Sequence, residues 1–145
     1  MIKFSIITVV KNNVHEIEKT IKSMHLQDFR NFEHIIIDGN STDGTSKIIR
    51  KKKNSKIKYY RSSDGGIYDA INKGIHHSRG EYVGLLHSGD FYSSNKILLT
   101  VNRVLKKNDI LVGNVSFYNK KINIFRNWKK PFSVLTPHNS FTIPH

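Results

Sequence analysis

Short apolar segments rich in β-branched residues alternate with amphipathic segments through most of this chain. Continuous apolar runs of this length indicate strands that are buried on both faces of a parallel sheet. The predicted strands are Phe4–Val10, Phe32–Ile37, Ile57–Tyr60 and Tyr82–Leu86. Apolar residues at helical spacing fill the intervals between them. The alternation predicts an α/β fold: a central, mostly parallel, Rossmann-like sheet flanked by helices.

The helices and the last third of the chain follow from the same patterns. Helices are predicted at Val14–Leu26, Thr45–Lys52, Ile67–His77 and Lys96–Lys106. Ile110–Tyr118 and Lys121–Phe125 predict a β-hairpin around Asn119 and Lys120. The remainder, Asn127–His145, holds all three prolines and is predicted to be irregular.

Composition limits the classes of partner. The 145 residues suffice for one domain with a real core, and they include 24 Lys and Arg against 11 Asp and Glu, a net charge of +13. Such a balance favours anionic partners. The dense run Arg50–Lys53 fits either a solvated helix end or a contact with anionic lipid headgroups. The absence of cysteine excludes disulfides and thiolate metal sites. With no long apolar run or leader pattern in the sequence, we expect a cytoplasmic protein.

Polar residues follow the predicted strands where each strand ends. In open α/β sheets, ligands bind outside the carboxyl ends of the strands, so these groups should converge on one crevice. The groups are Thr8–Asn12, Asp38–Asn40, Ser63–Asp64 and His87–Asp90. Three of them carry a carboxylate, and a hard divalent cation with a nucleotide would relieve the repulsion among these carboxylates. Alternatively, each carboxylate only caps the following helix. Neither a Gly-x-Gly-x-x-Gly turn nor a P-loop is present.

Four stretches, in this order, resemble the motifs of family 2 glycosyltransferases. They are Phe4–Asn12, Ile35–Thr45, Ser63–Gly74 and Gly80–Asp90. The third stretch is similar to a signature of the subgroup that makes bacterial surface polysaccharides of the colanic acid, O-antigen and capsule type. The resemblance implies the GT-A fold. It also implies a nucleotide-sugar-binding α/β domain at residues 1–126 and the start of an acceptor-side region at 127–145.

The resemblance also assigns residues to the donor site. Those that would bind the nucleotide-sugar are Thr8, Val10, Asn12, Asp38, Asp64, Asn72, Lys73 and Ser88. The first three would line the nucleoside pocket, largely through backbone atoms. Asp38 would accept a hydrogen bond from the base, usually uracil, and Asp64 would lie near the base and ribose. Asn72 and Lys73 would lie near the ribose and diphosphate, although Lys73 also fits a solvated helix position.

The metal motif departs from the family pattern. Asp90 would hold the Mg²⁺ or Mn²⁺ that bridges the diphosphate, but the stretch His87–Asp90 carries one carboxylate where the motif usually has two. His87 is interpreted either as a ligand or as a residue that packs at the strand end.

The catalytic base is the second departure. Family members usually place it beyond a segment that resembles Pro137–Thr142, and this chain ends at His145 with no carboxylate after Asp109. The chain is therefore interpreted as C-terminally truncated, with the base unknown. His138 is either a base or a residue that lines the acceptor cleft.

The resemblance implies an inverting transferase that moves a sugar from a nucleotide-diphosphate donor, a UDP-sugar by family default, to a saccharide acceptor. A lipid-linked acceptor at the inner membrane face would suit the positive charge. The alternative is a binding module that holds the donor and transfers nothing. Nucleic acid is not expected, because the basic residues are dispersed rather than interleaved with stacking aromatics. An apolar surface left by a missing acceptor half would favour a homo-oligomer.

Overall fold

The computed structural model describes residues 1–63, 65–106, 110–113, 115–119, 123–128 and 134–135. The chain divides into two units, Met1–Leu99 and Thr100–His145, each of which is described by itself. The division at residue 126 that the resemblance implies stays a prediction.

Strands and helices alternate throughout the first unit, as predicted. In chain order they are β1 Phe4–Val10, α1 Ile17–His25, β2 Phe32–Asp38, α2 Thr45–Lys52, β3 Ile57–Arg61, α3 Ile67–His76 and β4 Tyr82–Leu85. Helix α1 begins later than the apolar spacing predicted, because a turn precedes it in which the Asn13 carbonyl accepts hydrogen bonds from the Glu16 and Ile17 amides. The pattern therefore located every element of this unit and missed only the ends.

The four strands form one parallel sheet in the order β3-β2-β1-β4. Register places Val10 beside Asp38, and Asp38 beside Arg61, at the carboxyl edge. On the other side of β1, Ile7 pairs with Leu85, so residues 86–90 emerge at the same edge. The loops that were predicted to converge therefore share one end of the sheet.

Helices cover both faces of the sheet. On one face, Val10 and Ile36 pack in a buried cluster with residues of α1, α2 and β3: Ile17, Ile21, Ile49 and Ile57. On the other face, Ala70 of α3 packs on the cluster Ile7, Val9, Ile35 and Ile37. Burying each large aliphatic side chain contributes about 1.5–3 kcal/mol before entropy is counted. The two central strands, buried at every position, thus form a rigid base for the loops at their ends.

Strand β4 differs from its prediction as a buried strand. Val83 and Leu85 are 45% and 49% exposed. The physical reason is position: β4 is the end strand of the described sheet, and α3 packs on β1 and β2. An apolar run alone does not distinguish a central strand from an edge strand. Self-association through this face stays a prediction.

Two glycines permit close approach around β1. A Cβ at Gly80 would lie 2.5 Å from the Ser5 amide nitrogen and 2.7 Å from the Phe4 carbonyl carbon. A Cβ at Gly74 of α3 would lie 2.5 Å from Cγ2 of Ile7. Both contacts are shorter than packed atoms tolerate, so these glycines set how closely α3 and the entry to β4 approach β1.

The described residues of the last part of the chain include one helix and two small antiparallel strand pairs. Helix α4, Ile97–Val104, crosses the boundary between the units, and β5 Ile110–Leu111 pairs with β8 Val134–Leu135. Strands β6 Val115–Asn119 and β7 Asn123–Trp128 pair as the predicted hairpin requires, but Ile110 and Leu111, predicted in its first strand, belong to β5 instead. The prediction of irregular structure after residue 126 was wrong where β7 ends and where β8 lies, because strands of two to six residues are too short to show a clear periodicity. In the described part of the chain, no helix is long and apolar enough to cross a membrane.

Candidate functional site

The loop between β1 and α1 is fastened to the loop between β2 and α2. Asn12, at a positive φ of 50°, donates its amide to Ser41 Oγ at 2.9 Å, and its Oδ1 accepts the Thr42 amide at 2.8 Å. The Asn13 amide donates to Thr45 Oγ1 at 2.9 Å. Left-handed backbone is tolerated by Asn because its short side chain bonds locally. The two loops therefore behave as one unit above the sheet edge.

The loop after β4 joins the same network. Asn13 Nδ2 donates to Ser88 Oγ at 3.0 Å, and the Ser88 amide donates to the Val9 carbonyl at 3.3 Å. The carboxyl ends of β1, β2 and β4 thus carry three interlinked loops, and Asn13 contacts both of the others. Asn12 and Ser88, both predicted to bind the nucleotide-sugar, contribute backbone and side-chain groups to this network.

Asp38, at the end of β2, is fully buried and its carboxylate is already hydrogen-bonded on both oxygens. Oδ1 accepts the Ser41 amide at 2.8 Å. Oδ2 accepts the hydroxyl of Ser46 at 2.5 Å and the hydroxyl of Tyr59 at 2.7 Å. Because the side chain is fully buried, a base could contact this carboxylate only if the groups that cover it moved. The base contact stays a prediction. The observed bonds differ from a helix cap, the alternative, because they join Asp38 to the Ser41 amide in the β2–α2 loop and to a side-chain hydroxyl of α2.

Burial and hydrogen bonding act on Asp38 in opposite directions. Burial alone would raise the pKa of the carboxyl, but the bonds from Ser41, Ser46 and Tyr59 outweigh it and hold the pKa below its ordinary value. Burial, followed by the bond to the Asp38 carboxylate, raises the pKa of Tyr59. Asp38 is therefore charged across the physiological pH range, and it is held by uncharged hydrogen-bond donors.

Thr8 and Val10 present no side chain to a ligand. Thr8 is fully buried, and its hydroxyl donates to the Leu86 carbonyl at 2.6 Å. Its oxygen lies 2.8 Å from Nε2 of His34, which must donate because the Thr8 proton is already used. Val10 is packed in the core and its carbonyl accepts the Gly39 amide at 2.9 Å. Any nucleoside contact from these two residues would run through backbone, as predicted.

Asp90 presents a carboxylate just beyond the end of β4, at the carboxyl edge of the sheet. The residue is exposed, and its carboxylate has no hydrogen bond or ion pair to any residue that the structure describes. The described part contains no group of three or more His, Asp or Glu side chains suited to hold a metal. Magnesium commonly binds through one or two carboxylates and completes its shell with phosphate oxygens and water. The residues present fit such a cation, provided that a diphosphate supplies the other ligands.

Two basic side chains border the β3 end of the network. Arg61 Nη2 donates to the Ser41 carbonyl at 2.9 Å. Lys73 Nζ donates to the Ser63 carbonyl at 2.6 Å and forms an ion pair with Asp69 at 2.8 Å. Asn72 is exposed beside it on α3. Lys73 therefore ties α3 to the β3–α3 loop, and its predicted contact with the diphosphate stays a prediction.

The remaining predicted residues divide by position. Asp64 and His138 lie outside the described residues. His87 is half-buried, and its Nδ1 is enclosed with no hydrogen-bond partner in the described part of the chain, so both interpretations of it stand. Sequence reasoning missed Asn13 and Arg61, although each lies within three residues of a predicted strand end.

A parallel sheet with helices on both faces and interlinked loops at its carboxyl edge defines an α/β domain. Residues 5–143 match the model for glycosyl transferase family 2, and the chain belongs to that family. It is 34% identical over 122 residues to an uncharacterized glycosyltransferase of Rickettsia conorii. The aligned stretch covers 83% of this chain and 20% of the relative.

Solved structures agree with the predicted fold. TarS from S. aureus, in complex with UDP-GlcNAc, matches with a TM-score of 0.64 and 28% identity, over 70% of this chain and 30% of that one. The mannosyltransferase PcManGT from Pyrobaculum calidifontis, in complex with GDP-Man and Mn²⁺, matches with a TM-score of 0.67 and 21% identity, over 83% of this chain and 36% of that one. The GT-A fold is confirmed. The chain spans roughly a fifth to a third of the length of the first curated relatives that it matches.

Proposed function

We propose that this chain supplies the donor site of an inverting glycosyltransferase that uses a nucleotide-diphosphate sugar, with UDP as the nucleotide. The observation that carries the proposal is the linked network at the carboxyl edge, where Asn13 joins the loops after β2 and β4 and Asp90 stands free. Binding of UDP-GlcNAc by TarS and of GDP-Man by PcManGT supports this class of donor. The choice of uridine over guanosine rests on the family resemblance.

The proposed division of labour follows from the contacts. Asn12, Ser41 and the backbone of Thr8 and Val10 would form the floor of the nucleoside pocket, and Asp38 would hold the shape of that floor. Asp90 would hold Mg²⁺ or Mn²⁺, which would neutralise the charge of the departing nucleoside diphosphate. Asn72, Lys73 and Ser88 would add polar contacts to ribose and diphosphate. Asp64 is proposed to lie near the base and ribose.

A thermal-shift panel tests the class of donor. Ligands that bind only the folded state stabilise it by about 2.7 kcal/mol at a concentration of one hundred times the Kd. We expect UDP with Mn²⁺ to raise the Tm more than GDP, ADP or UMP does. A larger shift with GDP would correct the base, while no shift with any nucleoside diphosphate would refute a donor site.

The acceptor is proposed to be a saccharide, lipid-linked, in the synthesis of a bacterial surface polysaccharide. This step rests on the resemblance of Ser63–Gly74 to that subgroup. The alternative function is a module that binds the donor without transfer. Incubating the chain with UDP-sugars and lipid-linked oligosaccharides, and weighing the products by mass spectrometry, separates the two. A mass gain of one sugar residue supports transfer, and donor binding without any gain supports the module.

A contact with anionic membrane is proposed through one basic face. From Thr45 to Ser63 the chain carries eight Lys and Arg residues and no Asp or Glu. Of these, Lys47, Arg50, Lys51 and Lys53 are exposed on α2 and at its C-terminal end, whereas Lys52 is paired with Glu18 at 2.6 Å. Because β3 is an end strand of the described sheet, lysines there also guard against edge pairing. Each basic residue near an anionic surface adds about 1 kcal/mol to binding.

Vesicle sedimentation tests this face. We expect binding to vesicles with anionic lipid and none to neutral vesicles. Changing Lys47, Lys51 and Lys53 to Gln should weaken binding by about a hundredfold or more, since three contacts of about 1 kcal/mol are lost. The control changes Lys96, Arg103 and Lys106 to Gln, which lowers the net charge equally. Equal loss in both variants would show that total charge, rather than this face, drives binding.

A further inference from the structure

Helix α1 and the turn that follows it carry three polar side chains at helical spacing: Thr20, Ser23 and Gln27. Thr20 and Gln27 are fully buried. Buried polar groups are costly unless they are hydrogen-bonded, so a row of them indicates a specific set of partners. All three form hydrogen bonds with backbone amides of the stretch from Gly89 to Leu98, which leads from the loop after β4 into α4.

The lower part of this row holds the chain after the loop. Ser23 Oγ accepts the Tyr92 amide at 3.4 Å. Gln27 Nε2 donates to the Ser94 carbonyl at 2.8 Å, and its Oε1 accepts the Leu98 amide at 3.0 Å. These contacts satisfy backbone groups in a segment that has no strand or helix of its own before α4. The helix therefore serves as a template along which the segment is laid.

Thr20 acts at the start of the segment, on Asp90 itself. Its Oγ1 accepts the Gly89 amide at 3.0 Å and donates to the Asp90 carbonyl at 2.8 Å. The Asp90 amide donates to the His87 carbonyl at 3.0 Å, and Gly89 has a positive φ of 100°. The backbone of Asp90 is thus fixed on both sides while its carboxylate stays exposed at the edge of the sheet.

We infer that Thr20 is a positioning residue, whose hydroxyl holds the Gly89–Asp90 turn so that the Asp90 carboxylate faces a divalent cation bound with the nucleoside diphosphate. The inference rests on the proposed function. A cation held by one protein carboxylate depends on the direction of that carboxylate more than a cation held by several. Groups that orient a metal ligand commonly change metal affinity by about 10- to 100-fold when removed.

The test compares two changes at Thr20 with a control at the opposite end of the sheet. Thr20→Val keeps the shape and removes the hydroxyl, whereas Thr20→Ser keeps the hydroxyl. Ser5→Ala is the matched control, because Ser5 is also fully buried and its Oγ accepts the Arg79 and Gly80 amides at 3.2 and 2.8 Å. The readouts are the Kd of UDP with Mn²⁺ and with EDTA, and free Mn²⁺ measured by electron paramagnetic resonance.

We expect Thr20→Val to weaken UDP binding by about tenfold with Mn²⁺ and to leave the Kd in EDTA within about twofold. Thr20→Ser and Ser5→Ala should keep the full effect of Mn²⁺. A full Mn²⁺ effect in Thr20→Val, or the loss of that effect in Thr20→Ser, would overturn the inference and leave the proposed function standing. The Thr20→Ser measurement remains a test even if Thr20→Val does not fold. Wild-type protein that binds no UDP under either condition would contradict the proposed function and the inference together.

Discussion

Replacing Asp38 with Asn keeps the size of the side chain and removes its charge. The carboxylate accepts three hydrogen bonds, from the Ser41 amide and from the hydroxyls of Ser46 and Tyr59. If the Asn oxygen keeps the Ser41 amide, its NH₂ group faces the two hydroxyls that formerly donated. Hydrogen bonds to charged groups contribute about 1.5–3 kcal/mol each, and the hydroxyls can recover part by accepting from the NH₂. We expect Asp38→Asn to lower the free energy of unfolding by about 2–4 kcal/mol.

Urea unfolding at several pH values measures both the loss and its cause. The folded pKa of Asp38 lies below its ordinary value, so its contribution is present above the unfolded pKa of 3.8 and is lost as pH falls through the folded pKa. The difference between wild type and Asp38→Asn should therefore be largest at neutral pH and shrink in acid. Tyr59→Phe should cost about 1–2 kcal/mol, because one donor of three is lost. Glu81→Gln, at an exposed carboxylate, is the control. Equal stability of Asp38→Asn and wild type at pH 7 would refute the anchoring role.

Two further predictions concern the core, one on its glycines and one on His34. Gly80→Ala should destabilise the fold by about 1–3 kcal/mol and more than Gly74→Ala, because its Cβ meets the backbone of Ser5 whereas the other meets the Ile7 side chain; unfolding curves that rank them in reverse would contradict the packing. Burial lowers the pKa of His34 to about 3, so the unfolded chain binds more protons between pH 6.5 and 3. The free energy of unfolding of the wild type should fall by up to about 1.4 kcal/mol for each unit by which the pH is lowered in that window. His34→Gln should flatten this dependence on pH. An unchanged slope would show that other groups cause it.

Much of the fold was predictable because the strands that form the core are continuous apolar runs in the sequence. The run Phe4–Val10 matches β1 at both ends, and Phe32–Ile37 misses only the last residue of β2. Burial at the edge was not predictable, since Val83 and Leu85 are as apolar as residues of the central strands. What exposes them is the order of strands in space, which periodicity does not encode.

The site was predictable in outline and not in detail. The rule that ligands bind at the carboxyl ends of strands located the loops that carry Asn12, Ser88 and Asp90. The rule could not show that Asp38 is enclosed, because one of its donors, Tyr59, lies 21 residues further along the chain. Likewise Thr20 is 70 residues from Asp90, and on α1 it reads as one more polar helix residue. Contacts between distant segments decide these roles.

Calorimetric titration of UDP into the protein, with Mn²⁺ and with EDTA, tests the donor site most directly. Asp90→Ala is the variant, and Asp28→Ala, at another exposed aspartate, is the control. The account predicts that wild type and control bind UDP more tightly with Mn²⁺, and that Asp90→Ala binds with the same affinity in both conditions. Equal weakening of Asp90→Ala with and without Mn²⁺ would contradict the metal assignment, and a wild type that binds no nucleoside diphosphate would contradict the donor site itself.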